Sequence, residues 1–286
     1  MIIRRISFPA ILAGATLAVA TATMAAKQAT DAAAEAGATY ERAVPPGKIP
    51  KPILDAVNSP DRPAADKKLD NSRKPQQTLE FFGIEPGMKV ADLWAGNGYM
   101  TELLARVIGP DGKVYSQNGK FPPQFQKAVE AWKARPKEPG LSNVVELEES
   151  FDNPSGILPV PSGSLDAVIT EMNYHDMVGR GYDLDKINAA IFNALKPGGV
   201  YGIIDNSGQP GSGVRDVSTL HRVDEAFVVG QIEKAGFKLQ AASDVLRNSK
   251  DDRTWLVFKH RGQQDRFVLK FVKPQGAGGV GAGLPH

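Results

Sequence analysis

The sequence contains no cysteine, and this absence excludes several kinds of chemistry. Without thiols there is no disulfide framework, no thiolate nucleophile and no cysteine-ligated zinc or iron–sulfur centre. An excess of one charge is also lacking, because 34 basic residues face 32 acidic ones and leave a formal net charge of +2. This balance argues against a nucleic-acid or anionic-membrane partner and favours a small-molecule partner.

A hydrophobic run long enough to cross a bilayer is also missing. The chain starts with a basic pair, then an apolar stretch from Ile6 to about Ala20, then small residues. That stretch is shorter than the roughly 20 residues of a spanning helix and is typical of a secretory signal peptide, with an uncleaved anchor as the alternative. We expect a signal peptide at 1–26 and a periplasmic or secreted protein that is not stably anchored in the membrane after cleavage.

Two further segments lack the periodicity of a folded domain. From 27 to 70, proline recurs every few positions, which predicts an extended N-terminal arm because proline interrupts helices and strands. The glycine-rich segment 275–286 predicts a disordered tail. The remaining residues, 71–274, are expected to form the folded domain.

Helical and strand periodicities alternate within this domain. The strand patterns are MKVADLW, GKVYSQN, NVVELEE, LDAVITEMN and VYGIIDNS, followed by KLQAASDVL and DRFVLKFV. Parallel strands require crossover connections, whereas the last two patterns are joined without a convincing helix and predict an antiparallel hairpin. We therefore predict an α/β, Rossmann-like, doubly wound sheet of seven strands, mostly parallel with an antiparallel C-terminal hairpin.

The helical patterns have recognisable ends. NSRKPQQTLEFFGI predicts a single helix that stops at Gly83, and a later helix is expected to stop at Gly109. DLDKINAAIFNALKPGG predicts a helix that stops at Gly198 and the glycine after it, and Asp224 is a plausible cap for the last helix.

The first strand runs into Trp-Ala-Gly-Asn-Gly and then directly into a helical pattern. In an open parallel sheet, ligands bind where the carboxyl ends of the strands meet such loops. Gly96 and Gly98 allow a ligand to approach the main chain closely, or alternatively serve only to turn the chain. A dinucleotide-binding fingerprint is incomplete because Thr101 stands in place of its third glycine, and no phosphate-binding Gly-Lys-Ser/Thr follows.

The first motif, with Asp92, Gly96 and Gly98, is followed in order by SLDAVITEMNYHDM, ALKPGGVYGIID and EKAGFKL. In this order and spacing, the chain from about Asn71 to Lys273 resembles a class I S-adenosylmethionine-dependent methyltransferase. The segments NYHDM, TLHRVD and DRFVLKF resemble, more narrowly, a group of exported, predicted methyltransferases. The resemblance implies S-adenosylmethionine as the cofactor, with its methionine part at the first motif.

Several cofactor positions implied by the resemblance depart from the usual pattern. Gln117 and Asn118 stand where most of the family has a ribose-binding acid, and neutral amides are weaker acceptors than a carboxylate. Trp94 replaces a glycine, and its ring either packs under the turn or partly fills the pocket. The resemblance also places Asn173 and Asp152 at the cofactor, although Asp152 is equally a turn former.

The resemblance places the catalytic groups after the fourth strand, where Tyr174, His175 and Asp176 stand. His221 lies in a further loop, 207–224, which is long enough to form a lid over the crevice. Histidine can act as a general base near neutral pH, and a neighbouring acid such as Asp176 can orient it. The alternative for both histidines is an ordinary hydrogen-bonding role at the surface.

The same histidines, with Asp176 or Asp205, could instead hold a divalent metal ion. No compact ligand spacing in the sequence supports such a site, and we expect none.

Two functions from different classes follow. The first is a methyltransferase acting on a small-molecule acceptor, and the ordered motifs favour it. The second is a non-catalytic, methyltransferase-like periplasmic protein that binds a small molecule. Export favours the second, because S-adenosylmethionine is made and kept in the cytoplasm.

Overall fold

The computed structural model describes residues 41–43, 48–121 and 123–276. The predicted signal peptide, 1–26, lies outside the described residues, as do much of the predicted arm and nearly all of the predicted tail. Those assignments stay predictions. Within the described ranges, no helix combines the length and the apolar character that a membrane crossing requires.

A mixed β-sheet runs through the described domain. Its strands are β1 (Glu41–Ala43), β2 (Lys89–Leu93), β3 (Lys113–Asn118), β4 (Val144–Glu148), β5 (Leu165–Glu171), β6 (Leu195–Asn206), β7 (Lys238–Ser243) and β8 (Arg266–Val272). The spatial order is β1-β7-β8-β6-β5-β2-β3-β4. Only β8 runs antiparallel to its neighbours among these described strands, so the predicted mostly parallel sheet with a C-terminal hairpin is confirmed. The short edge strand β1 is additional, and three residues are too few to show a periodicity.

Helices cover both faces of the sheet. They are α1 (Lys51–Asn58), α2 (Ala64–Lys67), α3 (Asp70–Arg73), α4 (Pro75–Phe82), α5 (Tyr99–Ile108), α6 (Gln126–Ala134), α7 (Tyr174–Gly179), α8 (Leu184–Ala194) and α9 (Glu225–Lys234), with 3₁₀ turns at Pro123–Phe125, Arg135–Lys137, Pro154–Gly156 and Val257–His260. Successive side chains of β5 alternate between two hydrophobic clusters. Val168 packs in the cluster of α8 and α9, whereas Ala167 and Ile169 pack in the cluster of α1, α4 and α5.

The prediction of an extended arm is wrong for residues 48–70, because this segment forms the helices α1 and α2 and runs into α3. Three of its four prolines lie at helix starts, where the missing N–H group would have no partner within the helix anyway. Pro50 precedes α1, and Pro63 precedes α2. The helix α1 buries Ile53, Ala56 and Val57 in the cluster that also contains α5.

Two of the predicted helix ends are wrong. The helix predicted from 71 to 83 is divided at Lys74, which has φ +50°, because the following Pro75 disfavours helical backbone at the residue before it. The helix α8 ends at Ala194 rather than at the glycines, since Gly198 and Gly199 already belong to β6 and bond to Lys273. The ends at Gly83 and Gly109 and the cap at Asp224 are confirmed.

A buried arginine joins the N-terminal helices to the rest of the domain. The Nη1 atom of Arg135 donates a hydrogen bond to Glu102 Oε2 at 2.8 Å, and Nη2 donates to Asp66 on α2. The Nε atom donates to the carbonyl oxygen of Asn97 at 3.1 Å, in the loop after β2. All three charged side chains are buried, and Asp66 depends on Arg135 for its ionic partner, whereas Glu102 also pairs with Arg106 at 2.9 Å.

We predict that Arg135→Met lowers the free energy of unfolding by about 3–5 kcal/mol, because it leaves the buried carboxylate of Asp66 without a cation. Urea unfolding followed by circular dichroism measures the change. Lys133→Met is the matched control, since Lys133 pairs with Glu148 at 2.8 Å on the surface and its loss is expected to change stability little. Equal effects of the two substitutions would contradict the role given to the buried network.

Candidate active site

The loop from 94 to 98 turns the chain from β2 into α5 through three residues with positive φ. Trp94 has φ +59°, Gly96 has φ +61° and Gly98 has φ +86°. A Cβ atom built on Gly96 meets no atom within 4 Å, so this glycine faces open space. A Cβ atom on Gly98 would lie 2.9 Å from Cγ of Arg135. Gly98 therefore makes room for the arginine, and only Gly96 leaves room for a ligand.

Two buried amides hold this loop from below. Gln117 Oε1 accepts a hydrogen bond from the backbone N–H of Trp94 at 3.0 Å, and its Nε2 donates to the carbonyl of Glu149 at 2.7 Å. Asn118 bonds both polar groups of Gly96, accepting from the N–H at 2.9 Å and donating to the carbonyl at 3.0 Å. The ends of β3 thus fix the shape of the loop after β2.

This pairing corrects the expectation that Gln117 and Asn118 contact a ribose. Both side chains are fully buried, and neither lines the cavity described below. The amides face the neighbouring backbone because the loop after β2 passes directly over the end of β3. A one-dimensional pattern places a residue at a strand end without indicating which partner its side chain meets.

The indole of Trp94 packs beside the loop and leaves the hollow open. Its ring lies 4.7 Å from that of Phe151 and 6.2 Å from that of Tyr182, between centroids. The guanidinium carbon of Arg180 lies 5.2 Å from the indole centroid. Of the two alternatives for Trp94, the structure therefore shows packing, and the residue is also among those that line the cavity.

A cavity of about 350 Å³ opens at the carboxyl ends of β2, β5 and β6. This volume is within the range of small-molecule sites. The residues predicted from the sequence that line it are Asp92, Trp94, Gly96, Asn173, His175 and Asp176. The convergence of strand ends thus brings half of the twelve predicted site residues to one place.

Asp92 is the buried carboxyl of this cavity. Its Oδ2 accepts a hydrogen bond from Thr101 Oγ1 at 2.6 Å, and Thr101 in turn contacts Ser116, which accepts a bond from Trp132. Among the described residues Asp92 forms no ion pair. Burial raises the pKa of the Asp92 carboxyl to about 7. A cation bound beside Asp92 would therefore favour the ionised form of its carboxyl group near neutral pH.

Other predicted site residues lie elsewhere. Tyr174 is wholly buried in the core, where its hydroxyl accepts a hydrogen bond from Asn188 at 3.2 Å, so the predicted catalytic role is wrong. Asp152 is exposed and bonded to Ser150, as a turn former is. Neither residue lines the cavity. Asn173 lines it and also donates to the carbonyl of Trp94 at 2.9 Å.

Several cavity residues were missed by sequence reasoning. Arg73 comes from α3, lies with its guanidinium carbon 4.4 Å from the ring centroid of Tyr99, and pairs with Glu171 at 3.0 Å. Arg266, at the start of β8, also lines the cavity. These residues are distant in the chain, and only the position of Glu171 directly after an apolar strand offered a signal.

The prediction that the loop 207–224 forms a lid over the cavity is also wrong. No residue of the described segment 207–224 lines the cavity, whereas Val257, Phe258 and Arg261 do. Within the segment 207–224, Arg222 forms a buried ion pair at 2.9 Å with Asp251, which lies in the connection between β7 and β8. The far wall is instead formed by the connection between β7 and β8, which lacked any periodic pattern.

His175 and Asp205 form a buried pair at the cavity floor. The Nδ1 atom of His175 lies 2.6 Å from Asp205 Oδ1, and the other oxygen of Asp205 accepts the backbone N–H of His175 at 2.8 Å. Burial alone would lower the pKa of His175, but the negative charge and the hydrogen bond of Asp205 outweigh it, and the pKa is raised. Asp205 therefore orients the ring and stabilises its protonated form.

His221 lies next to this pair without lining the cavity. Its Nδ1 atom lies 3.3 Å from Nε2 of His175 and 3.6 Å from Asp176. Burial and the neighbouring charge of His175 lower the pKa of His221. The sequence expectation that His175, Asp176 and His221 share one place is met, although the acid held most closely to His175 is Asp205.

No family model matches the chain. A protein from Synechocystis described as an uncharacterized methyltransferase is 31% identical over 134 residues, which cover 46% of this chain and 52% of that protein. The ubiquinone/menaquinone biosynthesis C-methyltransferase UbiE from Pasteurella multocida is 27% identical over 123 residues, which cover 43% and 41%. The chain thus spans about half the length of the curated relatives it matches.

A solved S-adenosylmethionine-dependent methyltransferase from Aquifex aeolicus superposes with a TM-score of 0.53 and 22% identity, covering 74% of this chain and 98% of that one. The fold is that of the class I methyltransferases. At this identity the likeness to solved structures shows the fold alone, and the relatives that match part of the chain are described as methyltransferases. The narrower, exported group rests on the sequence resemblance and stays a prediction.

We predict that Asp205→Asn lowers the pKa of His175 relative to the wild type, because burial is then opposed only by the more distant charge of Asp176. A histidine NMR titration measures it, with exposed His260 as the internal control. In the wild type the raised pKa contributes stability in full below about pH 6.5, and this contribution is lost as pH rises through the folded-state pKa. An unchanged His175 titration in the variant would contradict the pairing.

Proposed function

We propose that the protein is an S-adenosylmethionine-dependent methyltransferase with a small-molecule acceptor. The observation that carries this proposal is the open cavity above Gly96, lined by the buried carboxyl of Asp92, which forms no ion pair with any described residue. S-adenosylmethionine carries a sulfonium and an ammonium group, and Asp92 would be their negative counterpart. The carboxylate of the same ligand would find a guanidinium in Arg73.

Methyl transfer requires little covalent chemistry from the protein. The sulfonium is already activated, so alignment of the acceptor and exclusion of water supply most of the rate enhancement. The cavity fits these needs because strand ends and the apolar residues Val257 and Phe258 line it together. An acceptor bound in this cavity would lie near His175.

His175 would act as the proton acceptor where the methyl acceptor must lose a proton. Asp205 holds its Nδ1, so the proton would be taken at Nε2. A buried acid that orients the imidazole and balances its charge is the usual arrangement for such a base. Asp176, at 3.7 Å from Nε2, adds negative charge on the cavity side.

The alternative of a non-catalytic binding protein receives no support from the comparisons, because the relatives are described as methyltransferases. Location in the periplasm or outside the cell, without a stable membrane anchor, is proposed from the first 26 residues alone. Partners other than a small-molecule acceptor, nucleic acid included, are not part of the proposal.

We predict that the protein without residues 1–26 binds S-adenosylmethionine and its demethylated product, S-adenosylhomocysteine, in a calorimetric titration. Gly96→Arg should abolish the heat of binding, since its side chain would enter the cavity at the only place where the loop leaves room. Gly163→Arg is the matched control, because Gly163 has a similar φ of +63° and faces open space before β5, at the opposite edge of the sheet.

Absence of heat from the wild-type protein at high ligand concentration would overturn the proposed function. Equal loss of binding in both variants would show that Gly96→Arg acts through folding, and the location of the cofactor would then be wrong.

We further predict that the affinity for S-adenosylhomocysteine rises with pH toward 7, by up to about tenfold per unit. The reason is that the ligand's ammonium group favours the ionised form of Asp92, whose pKa is about 7 in the free protein, so binding releases a proton below that pH. Titrations between pH 5.5 and 7.5 measure how steeply the affinity changes with pH. Asp92→Asn should bind the ligand more weakly, and its affinity should not change with pH. If the variant keeps the wild-type pH dependence, another group causes it.

A further inference from the structure

Three side chains with potential ligand atoms face one another beside the cavity. Nε2 of His175 lies 3.3 Å from Nδ1 of His221 and 3.7 Å from Oδ2 of Asp176. Nδ1 of His221 lies 3.6 Å from Oδ1 of Asp176. The two histidines are 46 positions apart in the chain, which is why no compact ligand spacing is visible in the sequence.

The separation of the two nitrogens matches one edge of a metal coordination sphere. Zinc lies about 2.0–2.1 Å from histidine nitrogen and carboxylate oxygen, so tetrahedral angles separate its ligand atoms by roughly 3.3–3.4 Å. The two nitrogens already lie at this spacing, and each lies within 3.7 Å of one of the two oxygens of Asp176. A direct hydrogen bond between the two imidazoles is a weaker account, because 3.3 Å is beyond the usual length of about 2.7–3.2 Å for an N–H donor.

Asp205 provides a second, independent observation. Its carboxylate is fully buried and lies 2.6 Å from Nδ1 of His175, so Nδ1 carries the proton and the lone pair of Nε2 points at the other two ligands. Metal-binding histidines commonly have such a carboxylate on the nitrogen away from the ion, where it fixes the tautomer and raises the basicity of the ligand. His221 is also held in place, since its carbonyl accepts a hydrogen bond from Asn206 at 3.1 Å.

We propose that His175, His221 and Asp176 bind a divalent transition-metal ion of the zinc type. Imidazole ligands favour zinc, cobalt, nickel and copper over magnesium and calcium, which prefer oxygen. Since His175 and Asp176 line the cavity, the remaining coordination position faces the place where an acceptor would bind. The site goes beyond the proposed function and reverses the expectation from the sequence that the chain holds no metal.

The ion and a proton compete for the same lone pair. With the ion bound, Nε2 of His175 is a ligand and cannot take a proton from an acceptor. Metal loading and the general-base role of His175 are therefore alternative states of one side chain, and their occupancy would depend on the concentration of free metal ion.

Untagged protein, first dialysed against a chelator, is brought to equilibrium with Zn²⁺ and, separately, with Co²⁺. We expect one bound equivalent of each by elemental analysis, and visible absorption bands from the cobalt form. His221→Ala and Asp176→Asn should each lose stoichiometric binding. Asp205→Asn, which removes only the outer partner, should weaken binding by about 10–100-fold. His260→Ala is the matched control, because His260 is exposed and its ring packs on Trp255 outside the cluster.

The proposal is overturned if the wild type binds less than one equivalent of zinc at micromolar free metal, or if His260→Ala loses as much zinc as His221→Ala. Thermal unfolding of each variant without metal identifies any that fail to fold, and Asp176→Asn then stands as the conservative test. Because S-adenosylhomocysteine binding is measured without metal, zinc binding can fail while the proposed function stands, and the reverse can also be observed.

Discussion

The hydrogen bonds from Gln117 and Asn118 to the loop after β2 are the constraint on which the site depends. Two amides at the end of one strand fix the backbone of the neighbouring loop, and the positive φ angles of Trp94 and Gly96 then follow. With the loop held in this shape, the indole of Trp94 packs against Phe151 and the space above Gly96 stays open. A charged acid at these positions would accept hydrogen bonds but could not donate to the carbonyl of Gly96 as Asn118 does.

The chemistry of the cavity arises from strand ends that meet at one edge of the sheet. Asp92 lies near the end of β2, His175 follows β5, and Asp205 lies near the end of β6. Each is buried, and in a buried site the neighbouring charges and hydrogen bonds determine the pKa of a carboxyl or imidazole group. Asp92 has no cation and its pKa rises to about 7, whereas Asp205 has His175 as a partner and raises the pKa of that ring. One acid can thus receive a cationic ligand while another positions a base or a metal ligand.

Sequence reasoning predicted the features that depend on local periodicity. The parallel strands, the C-terminal hairpin and the functional edge of the sheet could all be predicted because strand burial and loop position are local properties. The partners of Gln117 and Asn118 could not, since they are backbone groups of a distant loop, and Tyr174 was misassigned because a polar residue beside a histidine gives no sign of its burial. Arg73 and Phe258 reach the cavity from separate parts of the chain, so only tertiary structure brings them together.

The most direct test of the account is a crystal structure of the protein soaked with S-adenosylhomocysteine. The account predicts the amino-acid part of the ligand above Gly96 and beside Asp92, with the amides of Gln117 and Asn118 still bonded to the loop and the indole of Trp94 still packed on Phe151. A structure in which Trp94 fills the hollow, or in which the ligand occupies another place while this cavity stays empty, would contradict it.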